Sequence, residues 1–465
     1  VFNSHAIFNI HATALFAKAA LHPDKKLSPL GIIVVSSYYM HYDVIMDFVN
    51  RIKEFETLNT ALKKGRLVVV FGRRRIGKTR MLKRWLSDVG GSYTQAIEAA
   101  PPIQIRQIYR DIRHHLETNI EPKNWEDMFE LLNSIKKPIV LCIDEFPYLV
   151  ASDASLPSRL QAWLDHRKQT KLSLVLCGSS FHMMHDTFLY HGSPLYGRAH
   201  KIMHVQPMTY ADFCKASKRK LSDPNSFNIF ALLGGIPKYW ELAQDFTEAT
   251  ACVQDLFFSH APYMQNEPLK IFKDENIKGN QAFSVMEAVG RGAHRPSEIA
   301  SRLGIPQTQV SKMIYRLKDA SVIQRDLAFG EPERHPKRVL YQISDPAFRF
   351  WYSVFSPHRS RWSTYTKQTQ KKYVYDFAST VFENLCRKQH QPSWRYWEKD
   401  IEIDFVQKLD QKNIILGEVK YTKLTKQEKK SIEEQLIQKW HATRWANKYH
   451  IKGCKVIDQN YLKQL

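Results

Sequence analysis

Leu67-Val68-Val69-Val70-Phe71 runs directly into Gly72-Arg73-Arg74-Arg75-Ile76-Gly77-Lys78-Thr79. An apolar run that stops abruptly at this pattern reads as a buried strand followed by a phosphate-binding loop. The chain must curl there so that successive backbone N–H groups point at phosphate oxygens. Gly72 and Gly77 permit the turn, Lys78 brings a point charge to the outer phosphates, and the Thr79 hydroxyl is placed to ligate Mg²⁺. A helix over Thr79–Ser87 would add its positive N-terminal dipole to the same site. The expected nucleotide contacts are therefore the loop residues Gly72, Arg73, Arg74, Arg75, Ile76, Gly77, Lys78 and Thr79, with Arg80 next to them, and the implied cofactors are ATP and Mg²⁺.

Ile139-Val140-Leu141-Cys142-Ile143 is a second continuous apolar run, of the kind buried on both faces of a parallel sheet, and it ends in Asp144-Glu145. An acid at a neighbouring strand tip suits the Mg²⁺ shell, which points to Asp144. A second acid can orient the attacking water, which points to Glu145. Taken alone, two solvated acids capping a strand would look the same. Leu172 to Cys177 is a third such run, ending in Gly178-Ser179-Ser180. Either Ser179 or Ser180 could sense the γ-phosphate there.

Composition bounds the rest. At 465 residues the chain has room for about three domains, and its 43% hydrophobic and 12% aromatic content is ample for packed cores. A formal charge of +22 points to a polyanionic partner, nucleic acid first. The six cysteines include no Cys-x-x-Cys pair, which fits a reducing cytoplasm better than a disulfide framework. No apolar stretch approaches the roughly 20 residues of a membrane-spanning helix. Residues 1–45 begin with Val and lack periodicity. They read as translated upstream sequence or an accessory extension, with Met46 as the natural start, or else as a divergent native extension.

Strands expected at 67–71, 92–98, 139–143, 172–177 and 200–205 alternate with helical segments, the pattern of a parallel α/β sheet. Residues 207–275 read as a helical lid. After them, a short helix at Ser297–Leu303 and the turn Gly304-Ile305-Pro306 lead into a helix over Gln307–Ala320. Val310, Met313, Ile314 and Leu317 form its buried stripe. Its other face carries Gln309, Lys312, Tyr315, Arg316 and Lys318. With strands at Val322–Leu327 and Val339–Ile343, this is a helix-turn-helix with a wing, a module that binds DNA or serves structural and protein-binding roles. The expected organisation is an atypical extension (1–45), a P-loop ATPase core (46–206), the lid (207–275), a winged helix (276–350) and a C-terminal domain with a basic linker (351–465).

Between Arg359 and Tyr375 five basic residues and no acids are interspersed with Trp362, Tyr365, Tyr373 and Tyr375. Such a segment could track a nucleic-acid backbone and stack bases, or be a solvated linker. Further on, Ile401-Glu402-Ile403-Asp404-Phe405-Val406 alternates with period two. Ile401, Ile403 and Phe405 are expected on one face, Glu402 and Asp404 on the other. The chain returns after Asp410–Asn413 as Ile414 to Lys420, with Glu418 and Lys420 sharing a face. Pairing of the two strands would gather Asp404, Glu418 and Lys420: two carboxylates for a divalent cation and a lysine to activate water for phosphodiester attack. A hairpin with solvated charges is the plain alternative.

From about Met46 onward the chain resembles the archaeal-type AAA+ ATPase family that carries a C-terminal PD-(D/E)XK nuclease-like domain. Phe48 to Glu54 resembles its opening box, where the Arg51 region helps form the adenine pocket. Gly72–Thr79, Ile139–Glu145 and Gly178–Ser180 resemble its Walker A, Walker B and sensor segments. Pro194-Leu195-Tyr196-Gly197-Arg198 and Gly234 to Tyr239 resemble two further signatures, by which Arg198 is a phosphate-sensing, finger or structural arginine. Tyr341–Tyr352 resembles the link into the C-terminal domain. Glu402-Ile403-Asp404 and Gly417-Glu418-Val419-Lys420 resemble the nuclease-like core, and Glu383 fits the helical carboxylate that such sites add to their metal ligands. The resemblance implies a P-loop NTPase with an AAA+-like parallel sheet and helical lid, then a winged helix, then an α/β restriction-endonuclease-like domain. It implies ATP hydrolysis with Mg²⁺ and a DNA-directed C-terminal module that either cleaves or only docks, and it leaves a homo-oligomer open.

Overall fold

The computed structural model describes residues 46–465 apart from 65–66, 167–170, 276, 278 and 335. The expected extension 1–45 lies outside the described residues. Residues Val49–Leu465 form one compact unit by their contacts.

Five parallel strands build the first sheet: β1 (Leu67–Phe71), β2 (Ser92–Gln95), β3 (Ile139–Asp144), β4 (Leu172–Gly178) and β5 (Lys201–His204), in the order β2-β3-β4-β1-β5. β1 and β4 pair from Leu67↔Leu174 to Phe71↔Gly178, so the loop after β1 and the segment after β4 leave the sheet side by side. β3 pairs with β2 and ends with Asp144 opposite Gln95, at the same carboxyl edge. Every residue of β1 is buried, which explains its unbroken apolar sequence. β2 is shorter than the 92–98 expected, because the chain turns off at Ala96 and a helix begins at Pro101. The helix after the loop, Lys78–Val89, buries Met81, Leu82, Trp85 and Leu86, one stripe at helical spacing.

Helices at Tyr210–Ser217, Pro224–Leu233, Pro237–Leu242, Ala249–Phe258 and Glu267–Asp274 follow. They pack around aromatic contacts such as Tyr210–Phe227 (5.2 Å between centroids) and Phe213–Trp240 (5.4 Å). Helices Asn280–Gly290, Pro296–Leu303 and Gln307–Asp319 share one core in which Val310, Met313, Ile314 and Leu317 are buried. β6 (Ile323–Leu327) and β7 (Val339–Ile343) then pair antiparallel, from Ile323↔Ile343 to Leu327↔Val339.

The aromatic residues of 359–375 are packing groups. Trp362 is buried and stacks on Phe258 at 4.4 Å, and Tyr365 stacks on Tyr373 at 5.7 Å. The cations Arg359, Arg361, Lys367, Lys371 and Lys372 are all exposed. The long helix Lys367–Gln389 leads to a second, four-stranded sheet of order β11-β10-β9-β8, made of β8 (Ser393–Glu398), β9 (Ile401–Lys408), β10 (Asn413–Val419) and β11 (His450–Ile457).

The strict alternation expected in β9 fails at its centre. Trp394 pairs with Val406 but Tyr396 pairs with Ile403, so β9 carries one extra residue against β8. This bulge lets Ile403 and Val406 both join the core around Tyr396, Leu416 and Trp440. Phe405 leaves the face on which it was expected and stacks on His390 at 5.0 Å. Gly417 makes room for it: a Cβ there would lie 2.0 Å from the Phe405 ring. Among the described residues no helix is long and apolar enough to cross a membrane.

Candidate nucleotide site and a second carboxylate cluster

Gly77 takes φ +90°, a left-handed turn that delivers the chain into the helix starting at Lys78. Lys78 is buried, and its ammonium donates to the carbonyls of Gly72 at 2.7 Å and Arg73 at 3.2 Å. The Thr79 hydroxyl donates to Asp144 Oδ2 at 2.6 Å, joining the loop to the tip of β3. Tyr93 donates to the same oxygen at 2.9 Å. Burial, followed by the charge of Asp144, pushes the Tyr93 phenol far up, so it stays a hydrogen-bond donor. The donor set fits Mg²⁺, an oxygen-loving ion commonly held by one or two protein oxygens with phosphate and water completing its shell.

Glu145 sits at φ +52°, uncommon for a residue with a side chain. Its Oε2 accepts from the Ser179 hydroxyl at 2.8 Å. Of the two candidate serines, Ser179 therefore faces the acid. Ser180 is buried and caps the helix Phe181–Phe188 through Met183 N.

Arg51 is buried and bridges backbone, donating to the carbonyls of Ile76 and Gln206, each at 2.9 Å. It braces the loop against the segment after β5. The loop arginines point to distant acids. Arg73 pairs with Asp345 and lies 4.4 Å from the Phe348 ring centroid. Arg74 pairs with Asp274 at 2.8 Å, Arg75 with Glu267, and Arg80 approaches Glu241 at 3.8 Å. Burial works against the charge of Arg73, but Asp345, with Tyr239 and Glu267, outweighs it and holds the guanidinium above its ordinary pKa. Arg198 is bound to Asp165 through Nε (3.0 Å) and Nη2 (2.8 Å), which suits the structural role that the sequence left open. Tyr93 and the five acids Asp345, Asp274, Glu267, Glu241 and Asp165 were not foreseen as site residues. Nothing in the local sequence marks them, since each is set by tertiary packing.

The second cluster lies between the helix Lys367–Gln389 and the strands β9 and β10. Asp404 is buried, and its Oδ2 accepts from Val419 N at 2.7 Å. Burial, then the nearby Glu383 and Glu418, push its carboxyl up to about 8. Glu383 is likewise raised, first by burial. Lys420 donates to Glu418 Oε1 at 2.7 Å, and Glu418 Oε2 is buried without a hydrogen-bond partner. Burial opposes the charge of Lys420, yet Glu418, Asp404 and Glu383 together outweigh it and the pKa is raised. Arg395 approaches Glu383 at 4.0 Å and also pairs with Glu402.

The structure thus brings Glu383, Asp404, Glu418 and Lys420 into one electrostatic neighbourhood. Among the described residues no group of three or more His, Cys, Asp or Glu side chains could hold one ion. Asp404 is engaged by a backbone N–H, Glu418 by an ammonium, and Glu383 lies beside a guanidinium.

Residues 48–242 match the family of ATPase domains found predominantly in Archaea, and residues 351–432 match a family of archaeal and bacterial proteins of unknown function. An uncharacterized protein of Methanocaldococcus jannaschii is 26% identical over 419 residues, covering 84% of this chain and 91% of the relative. The solved structure of a Walker-type ATPase of Pyrococcus abyssi superposes with a TM-score of 0.52 at 18% identity, covering 66% of this chain and 97% of that one, and supports the fold. The chain is an ATPase whose residues 48–242 match the predominantly archaeal ATPase domain family and whose residues 351–432 match a family of unknown function.

Proposed function

We propose that Mg²⁺-dependent ATP binding and hydrolysis at the first sheet control a DNA-directed C-terminal module. In this reading Thr79 and Asp144 hold the Mg²⁺, Lys78 leaves its loop carbonyls to neutralise the outer phosphates, and Glu145, steered by Ser179, orients the water. Bound Mg²⁺ supplies charge neutralisation on the phosphates. The observation that carries the reading is the pairing of Arg73 with Asp345. Asp345 caps the helix Pro346–Phe350, through which the chain enters the C-terminal region. A change at the loop is therefore applied directly to that connection.

The trio of helices with β6 and β7 supports a winged helix, and the net charge of +22 supports nucleic acid as partner. The proximity of Glu383, Asp404, Glu418 and Lys420 supports a nuclease-like site. Their engagement by other partners favours a second reading, in which the domain docks DNA or protein without cutting. A cleavage assay on varied DNA with ATP and Mg²⁺ or Mn²⁺ separates the two. Cutting by the wild type that Asp404→Ala abolishes supports the nuclease. Binding without cutting by the wild type under every condition supports the docking platform.

A further inference from the structure

Glu275 lies immediately after the helix Glu267–Asp274 and is buried. Its carboxylate does not serve its own helix. Oε1 accepts from Phe181 N at 3.0 Å, while Oε2 accepts from His182 N at 3.1 Å and from the Ser180 hydroxyl at 3.3 Å. These donors are the opening turn of the helix Phe181–Phe188, where unsatisfied N–H groups and the helix dipole both favour a negative charge. The residue just before that turn is Ser179, whose hydroxyl donates to Glu145. Burial raises the pKa of Glu275, and the three donors act against that rise.

The neighbouring residues meet the other side of the nucleotide site. Asp274 pairs with Arg74 and Glu267 with Arg75, both in the phosphate-binding loop. Two acids of this helix therefore hold the loop, and a third, directly after its end, holds the turn.

We infer that Glu275 is a positioning residue for ATP hydrolysis. It fixes the Ser180–His182 turn, which sets Ser179, which in turn orients the Glu145 carboxylate. This rests on the reading of Glu145 as the water-orienting acid. Because Glu275 also follows directly on the helix that grips Arg74 and Arg75, the sensor turn and the loop are held in register by the same element.

The test is steady-state ATP turnover by the full chain with Mg²⁺, for wild type, Glu275→Ala, Glu275→Gln, Ser179→Ala and the Glu275→Ala/Ser179→Ala pair. Glu275→Ala should lower kcat about tenfold or more with KM changed less than about threefold, because the inferred route runs to the water-orienting Glu145 and leaves the Lys78 loop contacts in place. Glu275→Gln keeps one acceptor oxygen and should recover part of kcat; it carries the comparison if the alanine variant does not fold. In the Ser179→Ala background, removing Glu275 should cost no more than about twofold, since its route to Glu145 is already cut. Wild-type kcat in Glu275→Ala, or losses that multiply independently in the double variant, would overturn the inference while leaving the ATPase reading intact. Unimpaired turnover in Glu145→Gln would overturn both.

Discussion

Arg73, the second residue of the phosphate-binding loop, is paired with Asp345, with its guanidinium set against the Phe348 ring. A loop built to bind phosphate is thereby tied to the segment that links the wing-like strand pair to the C-terminal region. In the proposed reading ATP would bring a dense negative charge to that loop and compete for the same cation. On that reading Arg73 exchanges Asp345 for phosphate when nucleotide binds, which would make the pairing a two-state switch.

Asp345→Asn should keep the helix cap, because its amide oxygen still accepts from Phe348 N, while removing the charge that holds Arg73. ATP affinity should rise by a few fold, about 1 kcal/mol or less, as the competitor is gone. Titration calorimetry with a non-hydrolysable ATP analogue measures it. Unchanged or weaker binding would show that Arg73 does not exchange partners.

Lys78→Ala should abolish ATP binding, since it removes the buried ammonium of the loop. Glu145→Gln should bind ATP with near-normal affinity and lose turnover by about a hundredfold or more. Equilibrium binding and phosphate release distinguish the two. Normal turnover in Glu145→Gln would remove that residue from its assigned role.

Much of this site was legible in the sequence because its signals are local. The strand, the glycine-permitted turn, the lysine and the hydroxyl are contiguous from Leu67 to Thr79, and Asp144-Glu145 ends an apolar run. What could not be read depends on residues brought together by packing. Tyr93, Glu275 and Asp345 carry no local signature. The choice of Ser179 over Ser180 is made by one hydrogen bond to Glu145. In β9 a single extra residue, invisible as composition, moves Phe405 off the face that alternation gave it. Trp362 reads either as a base-stacking aromatic or as part of a solvated linker, yet its ring is fixed against Phe258.

The exposed cations at Lys371 and Lys372 give a prediction that does not involve the aromatics. DNA affinity should fall with salt, at a log–log slope of about −0.9 per phosphate contact. Replacing both lysines by Gln should flatten that slope by up to about two units. Fluorescence anisotropy over a salt series reads it directly, and an unchanged slope would place the DNA elsewhere on the molecule.

Asp404 makes stability depend on pH. Its carboxyl titrates near 8 in the folded chain against an ordinary 3.8. Between those values the folded state holds a proton that the unfolded chain has lost, so stability falls as pH rises through this window, and below it there is no penalty. Asp404→Asn cannot ionise and still offers an acceptor to Val419 N. In metal-free buffer its Tm should decline less than that of the wild type from about pH 5 to about pH 8. Parallel curves would contradict the assigned environment.

The central claim is tested most directly by DNA affinity measured in two nucleotide states. The full chain should bind DNA with a Kd differing at least about fivefold between a non-hydrolysable ATP analogue with Mg²⁺ and ADP with Mg²⁺. That difference should vanish in Lys78→Ala. Equal affinity in both states for the wild type, with nucleotide binding confirmed, would contradict control of the C-terminal module by the nucleotide.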